Sequence, residues 1–296
     1  HLLELSDDPN LQPILFGLFQ FMYLVTVLGN LLIIMAVCSD SHLHTPMYFF
    51  LSNLSLADIS FISTIVPNMI VDIQTHSRVI SYVCCLTQMS LFIIFGGMDG
   101  MLLTVMAYDH FVAICHPLHY PVIISPLLCD FLVLISFLVS FLDCQLHNLI
   151  ALNFPYFKDV IANFFYDPSQ LLNLTCSDTF TSNIVMCFVA AISGFCPISG
   201  IFFSYYKIVS SILRIPSSSG KYKAFSTCGS HLSDVCLFYG TGFGMYLGSA
   251  ISHCPRKGTV ASVMYTVVTP KLNPIIYSPR NKDVKSALRK LQSRML

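Results

Sequence analysis

Long, nearly uncharged apolar runs alternate with short polar segments along the whole chain. Seven runs can be read: 13–38, 46–73, 84–115, 127–152, 182–213, 227–250 and 259–277. The first is the clearest, with 26 residues and no charge. The others carry isolated ionisable residues: Asp58 and Asp72 in the second, Asp99 and Asp109 in the third, Asp130 and Asp143 in the fourth. Lys207, Asp234 and Lys271 fall in the fifth, sixth and seventh. A helix needs about 20 apolar residues to cross the hydrocarbon layer. These lengths therefore predict spanning helices rather than core helices of a soluble domain. The sixth and seventh runs are rich in Gly, Ser and Thr, which suits close packing inside a bundle. The expected fold is an all-α membrane protein, a seven-transmembrane helix bundle forming one domain over 1–296.

Lys and Arg set the expected orientation. With seven spans, one side of the membrane carries ten of them, from Lys207 to Arg294, and the other carries Arg78, Lys158, Arg256 and Lys257. The richer side is expected to be cytoplasmic, with the N-terminus extracellular. Six of the ten lie in the final segment, where Val284, Leu288, Leu291 and Met295 recur at helical spacing among basic residues. That pattern predicts an amphipathic eighth helix over about 280–295, lying on the inner leaflet. The chain begins at His1 with no basic segment before the first run. Either residues precede it, or the first span is its own insertion signal.

Composition narrows the function classes. Only 10% of the 296 residues are charged and 55% are hydrophobic, against roughly 25% charged in a soluble domain. Mean hydropathy is +0.71. A soluble enzyme, a nucleic-acid binder and a disordered chain are all disfavoured, and the zero net charge implies no bulk electrostatic partner. Twelve cysteines are present. Cys38, Cys115, Cys129, Cys144, Cys187, Cys196 and Cys236 lie inside apolar runs, where a buried small hydrophobe is expected. Cys176 and Cys254 fall between the runs, and Cys84 and Cys85 at the outer tip of the third, so these four are expected outside the membrane. No paired CxxC arrangement indicates zinc.

Motifs then occur in a fixed order. Gly29-Asn30 lies in the first span and Pro46-Met47-Tyr48-Phe49-Phe50-Leu51 through Ala57-Asp58 opens the second. Met106-Ala107-Tyr108-Asp109-His110-Phe111 through His116-Pro117-Leu118-His119-Tyr120 ends the third, and Ser204-Tyr205 closes the fifth. Lys223-Ala224-Phe225-Ser226-Thr227-Cys228-Gly229-Ser230-His231-Leu232 opens the sixth, which contains Phe238-Tyr239-Gly240-Thr241. Asn273-Pro274-Ile275-Ile276-Tyr277 ends the seventh. Together these resemble the odorant (olfactory) receptors, a branch of the rhodopsin-like G-protein-coupled receptors, over essentially the whole chain. The resemblance implies a plasma-membrane receptor for olfaction and sensory transduction, not an enzyme. It implies a small apolar odorant bound in the outer half of the bundle, and inner-side helix movement that engages a stimulatory, olfactory-type G protein. Asp109, His110, Tyr205 and Tyr277 occupy the coupling positions.

Ionisable groups at membrane depth point to function. Counting at 1.5 Å per residue from the outer helix ends places Asp99 about 21 Å deep, with Asp58 and Asn273 each about 22 Å deep. Two carboxylates at one level cannot both stay ionised without a cation or a proton. In the family the matching positions form a sodium pocket, with Asn30 nearby. The expectation is a structural Na⁺ shared by Asp58 and Asp99; a protonated, hydrogen-bonded Asp pair is the alternative. Lys271 and Asp234 stand where the family usually has apolar residues, and Lys271 could itself pair with an Asp. By position, Phe92, Ile93, Gly96 and Gly97 of the third helix would line the ligand pocket, facing Val189, Ala190 and Ser193 of the fifth. The resemblance adds Tyr239, Gly242, Phe243 and Tyr246 from the sixth, and Val263 and Thr266 from the seventh. The set is apolar with a few hydroxyls, as a small-molecule pocket requires.

The chain also departs from the family. Asp-Arg-Tyr is replaced by Asp109-His110-Phe111; the Arg would be always charged and forked, whereas His is shorter and only partly charged near neutrality. Cys85 matches the family's disulfide position, but its usual partner is Tyr166, and Tyr156 replaces another loop cysteine. Cys176 or Cys254 could substitute. Phe137 stands where Trp is common, and Asn173-Leu174-Thr175 forms a glycosylation sequon in the outer loop. Two readings stay open: a signalling odorant receptor, or a receptor-fold product with impaired or no signalling. An ion-translocating protein using Asp58, Asp99 and Lys271 is a remote third.

Overall fold

The computed structural model of the protein describes residues 12–75, 82–153, 194–214 and 216–251, with Ser286, Ala287 and Arg289. Among these residues all regular structure is helical. The long helices are α1 (Gln12–Ser39), α2 (Pro46–Thr75), α3 (Tyr82–Cys115), α4 (Pro126–Asn153), α5 (Cys196–Leu213) and α6 (Ser218–Ile251). A 3₁₀ turn, Ser41–Leu43, joins α1 to α2, and a one-turn helix, Tyr120–Ile123, lies between α3 and α4. Among the described residues, α1 to α5 each contain a stretch long and apolar enough to cross a membrane. The seventh run, 259–277, lies outside the described residues.

The helix α4 is built inside out relative to a helix of a soluble protein. On α4 the buried positions are small or polar: Cys129, Ser136, Ser140, Asp143 and Cys144. Its outward positions are Leu127, Phe131, Leu134, Phe137, Leu138, Phe141 and Leu142. In lipid the large apolar side chains lose nothing by facing out, while small residues let backbones approach and polar ones find partners inside. Ser136 and Ser140 donate to the carbonyls of Leu132 and Ser136, each at 2.8 Å. Their hydroxyls are thereby satisfied without leaving the helix.

The helix α3 is the hub, touching α2, α4, α5 and α6. A main cluster of buried residues joins it to α1 and α2 through Ile33, Leu51, Leu54, Leu102, Leu103 and Met106. A second cluster, Phe19, Met22, Phe61, Ile62, Ile65 and Val66, packs the other end of α1 on α2. Gly97 lies at the α3–α4 crossing, where an added Cβ would meet Ser140 Oγ at 2.9 Å. Ala287 is buried in the main cluster, so the tail docks on the bundle at that point.

Two expectations are revised. The helix α6 starts at Ser218 rather than at 227, because hydropathy marks the apolar stretch while the backbone stays helical well past it. Of the seven cysteines expected to be buried, Cys129 and Cys144 are, whereas Cys38, Cys196 and Cys236 are exposed on the bundle's outer surface. An outward cysteine in lipid carries no penalty, so apolar surroundings in sequence did not mean burial.

Candidate functional site

Two buried polar levels are present along α3. At the first, Asp99 is 3% exposed, Asp58 on α2 is 2% and Asn30 on α1 is fully buried. The side-chain amide of Asn30 donates to the Thr26 carbonyl at 3.1 Å. Its Oδ1, Ser55 Oγ and Asp99 Oδ1 are buried with no hydrogen-bond partner. Orphaned oxygens of this kind typically cost about 1–3 kcal/mol each. Oxygen-only donors suit a hard cation, so the residues fit the Na⁺ that the sequence led us to expect. Among the described residues no three His, Cys, Asp or Glu side chains converge on a metal position. Asn273, the remaining member of the expected set, lies outside the described residues.

The second level lies at the Cys115 end of α3. Tyr120 Oη donates to Asp109 Oδ1 at 2.7 Å, the short distance of a charge-assisted bond. Burial, and then this bond to Asp109, push the Tyr120 phenol up from its ordinary range, keeping it a neutral donor. His110 Nδ1 sits 3.8 Å from Asp109 Oδ2, beyond hydrogen-bond reach. Its ring instead meets His231 of α6, with centroids 5.3 Å apart.

His231 is fully buried and binds three helices together. Its Nε2 lies 2.9 Å from the Leu103 carbonyl of α3. A carbonyl only accepts, so Nε2 carries the proton. In the neutral ring Nδ1 then accepts from Tyr205 Oη of α5, at 2.7 Å. Tyr205 and His231 lie nearly parallel, with centroids 5.9 Å apart. Of the expected coupling residues, His110 and Tyr205 both meet His231, whereas Asp109 is held by Tyr120. In the sequence His231 and Tyr120 stand only as letters of longer motifs. An imidazole within a span, three residues before Asp234, is the signal the sequence offers. Tyr277 lies outside the described residues. Asp234, one turn along from His231, is buried.

The expected ligand-pocket residues have varied surroundings. Tyr239 reaches the Gly100 carbonyl at 3.5 Å and meets Phe238 edge-on. Gly96 is buried, while Ile93 and Gly242 are half-buried. Phe92 packs on Phe61 of α2, centroids 4.9 Å apart, and Gly97 faces Ser140 of α4. Both therefore take part in helix contacts. Phe243 is 52% exposed and does not sit in the interior. Tyr246 lies on α6. Val189, Ala190, Ser193, Val263 and Thr266 lie outside the described residues, as do Cys176, Cys254, Tyr156, Tyr166, Asn173 and Lys271. Cys85 lies on α3.

With this geometry in place, comparison with known proteins adds the family context. A family model described as olfactory receptor matches residues 19–294. The mouse (Mus musculus) protein Olfactory receptor 7E178 is 72% identical over 292 residues, covering 98% of this chain and 88% of the relative. Olfactory receptor 7E24 of Homo sapiens is 71% identical over 296 residues, covering 100% and 87%. Olfactory receptor 7D4 of Homo sapiens is 60% identical over 294 residues, covering 99% and 94%.

Proposed function

Because the chain belongs to the olfactory receptor family, multi-pass G-protein-coupled receptors rather than enzymes, we propose that it binds a small apolar odorant within the bundle. The ligand would lie on the extracellular side of Tyr239 and the Asp99 level, in the outer half. The Asp109 end would face the cytoplasm and engage a stimulatory G protein, with the N-terminus extracellular. A Na⁺ shared by Asp58, Asp99 and Asn30 would neutralise the first polar level and brace α1, α2 and α3.

The observation that carries this reading is the relay at the second level. One buried imidazole, His231, is hydrogen-bonded to α3 and α5 at once. Rearranging those bonds couples the three helices that must separate to open a groove. Beside it, Leu118 is 90% exposed and Val122 80%, giving the same end an apolar knob for a protein partner.

A receptor with impaired signalling is the second reading, and His110 favours it. Its imidazole is turned toward His231 and is 3.8 Å from Asp109. It therefore offers no forked cation to an opened groove. The test is a cAMP reporter assay with a broad odorant panel at matched surface level. The parent should respond weakly, and His110→Arg should raise the ligand-evoked signal several-fold. A parent that signals fully, or a His110→Arg variant no better than it, would overturn the impaired reading.

A further inference from the structure

Away from both polar levels, α3 and α4 share a third polar cluster. Asn148 donates to Ser90 Oγ at 3.0 Å, and Cys144 Sγ donates to the Ser90 carbonyl at 3.5 Å. These bonds pin the two helices. Asp143, the residue before Cys144, is 4% exposed, and its Oδ1 is buried with no hydrogen-bond partner. His147 Nδ1 lies 3.9 Å from that oxygen but is committed to the Asp143 carbonyl at 2.9 Å. Because that carbonyl accepts, Nδ1 carries the proton and Nε2 is left as an acceptor.

Neither protonation state of Asp143 satisfies Oδ1. Beside an ionised carboxylate stands the His147 imidazole, 3.9 Å away and beyond hydrogen-bond reach, and a proton on Oδ2 would still leave Oδ1 without a donor. A buried charge of this kind is tolerated only when paired. The missing partner is one that brings positive charge and several donors to an acceptor pair. The His147 side chain is 15% exposed, so the pair reaches the bundle surface on that flank. Asp143 lies roughly ten residues, about 15 Å, inside the Asn153 end of α4, deeper than a lipid headgroup sits.

We propose that Asp143 and His147 form an anchor for a small organic ammonium, making primary amines a ligand class of this receptor. The proposal rests on the small-odorant reading above and adds to the odorant's apolar body a charged head group, held on the α3–α4 flank instead of beside Tyr239. Near neutral pH an alkylamine is protonated and supplies both the charge and the donors. An alcohol of the same shape supplies one donor and leaves the carboxylate charge uncompensated.

The test is thermal unfolding of the full chain in detergent at neutral pH, with n-hexylamine or n-hexanol as probe. Hexylamine should raise the Tm in a saturable way, and hexanol should not. Asp143→Asn should weaken the amine effect at least tenfold, while the unliganded variant melts no lower than the parent because a charge without a partner has gone. His147→Phe should weaken it several-fold. Equal stabilisation by the two probes, no stabilisation by the amine, or an undiminished effect in Asp143→Asn would each overturn the proposal. Should Asp143→Asn fail to fold, the amine-against-alcohol comparison on the parent still decides. Signalling plays no part in the readout, so failure here is separate from failure of the cAMP test.

Discussion

At the scale of single residues, Tyr120 shows how a loop side chain can take over a role that a helix neighbour would otherwise fill. Its hydroxyl occupies Asp109 Oδ1 at 2.7 Å, so the buried carboxylate does not depend on His110. Tyr120→Phe removes that donor and leaves Asp109 buried without it. Loss of a hydrogen bond to a charged group costs about 1.5–3 kcal/mol. The variant should unfold at a clearly lower temperature than the parent, and an unchanged melting curve would mean that Asp109 finds another donor. A carboxylate at a span's end marked Asp109 in the sequence. Nothing in the apolar pattern could mark Tyr120, because the path of the 116–125 segment back across the end of α3 follows from packing and not from periodicity. The same holds for His110: its replacement of Arg was legible, but its turn toward His231 depends on which faces of α3 and α6 meet.

At the scale of helices, the α3–α4 crossing is set by two small residues. A methyl group at Gly97 would lie 2.9 Å from Ser140 Oγ and 3.1 Å from its Cβ, so the helices must part or the side chain must move. Gly97→Ala should therefore destabilise by roughly 1–3 kcal/mol, the usual cost of overpacking. Ser140→Gly in the same chain should recover most of the loss, whereas the same change paired with a distant site should not. A thermal-unfolding double-mutant cycle on the full chain measures this coupling, and additive effects would show that the crossing is not where the strain falls. The six long helices were legible because long apolar runs have few alternatives. The start of α6 was not, since Ser218 to Ser226 is polar enough to read as a loop. Gly97 read as pocket lining because sequence position cannot tell a residue facing a cavity from one facing a neighbouring helix.

At the scale of the whole molecule, the expected Asp58–Asp99 level coincides with three helices that each bury an unpartnered oxygen: Asn30 on α1, Ser55 on α2 and Asp99 on α3. If Na⁺ fills that level, raising it from zero to physiological concentration should stabilise the detergent-solubilised protein, by several degrees in Tm. Asp58→Asn should abolish the gain, and a parent insensitive to Na⁺ would remove the ion from the account. Depth counting from helix ends expects Asp58 and Asp99 at one height, because a straight helix converts residue number directly into height, and both side chains are buried. Lateral neighbours, such as Tyr205 beside His231, needed the packed bundle. The length of α6 has a mechanical consequence. Pinned at His231, the 34-residue rod has a short arm of about 20 Å toward Ser218 and a long arm of about 30 Å toward Ile251. As a first-class lever with its fulcrum at one imidazole, it would turn a tilt of about 10° into a sweep of about 3–4 Å at the Ser218 tip, by the same rise per residue. The long arm would swing farther with less force, so a light push there could be delivered as a shorter, stronger stroke at the other end.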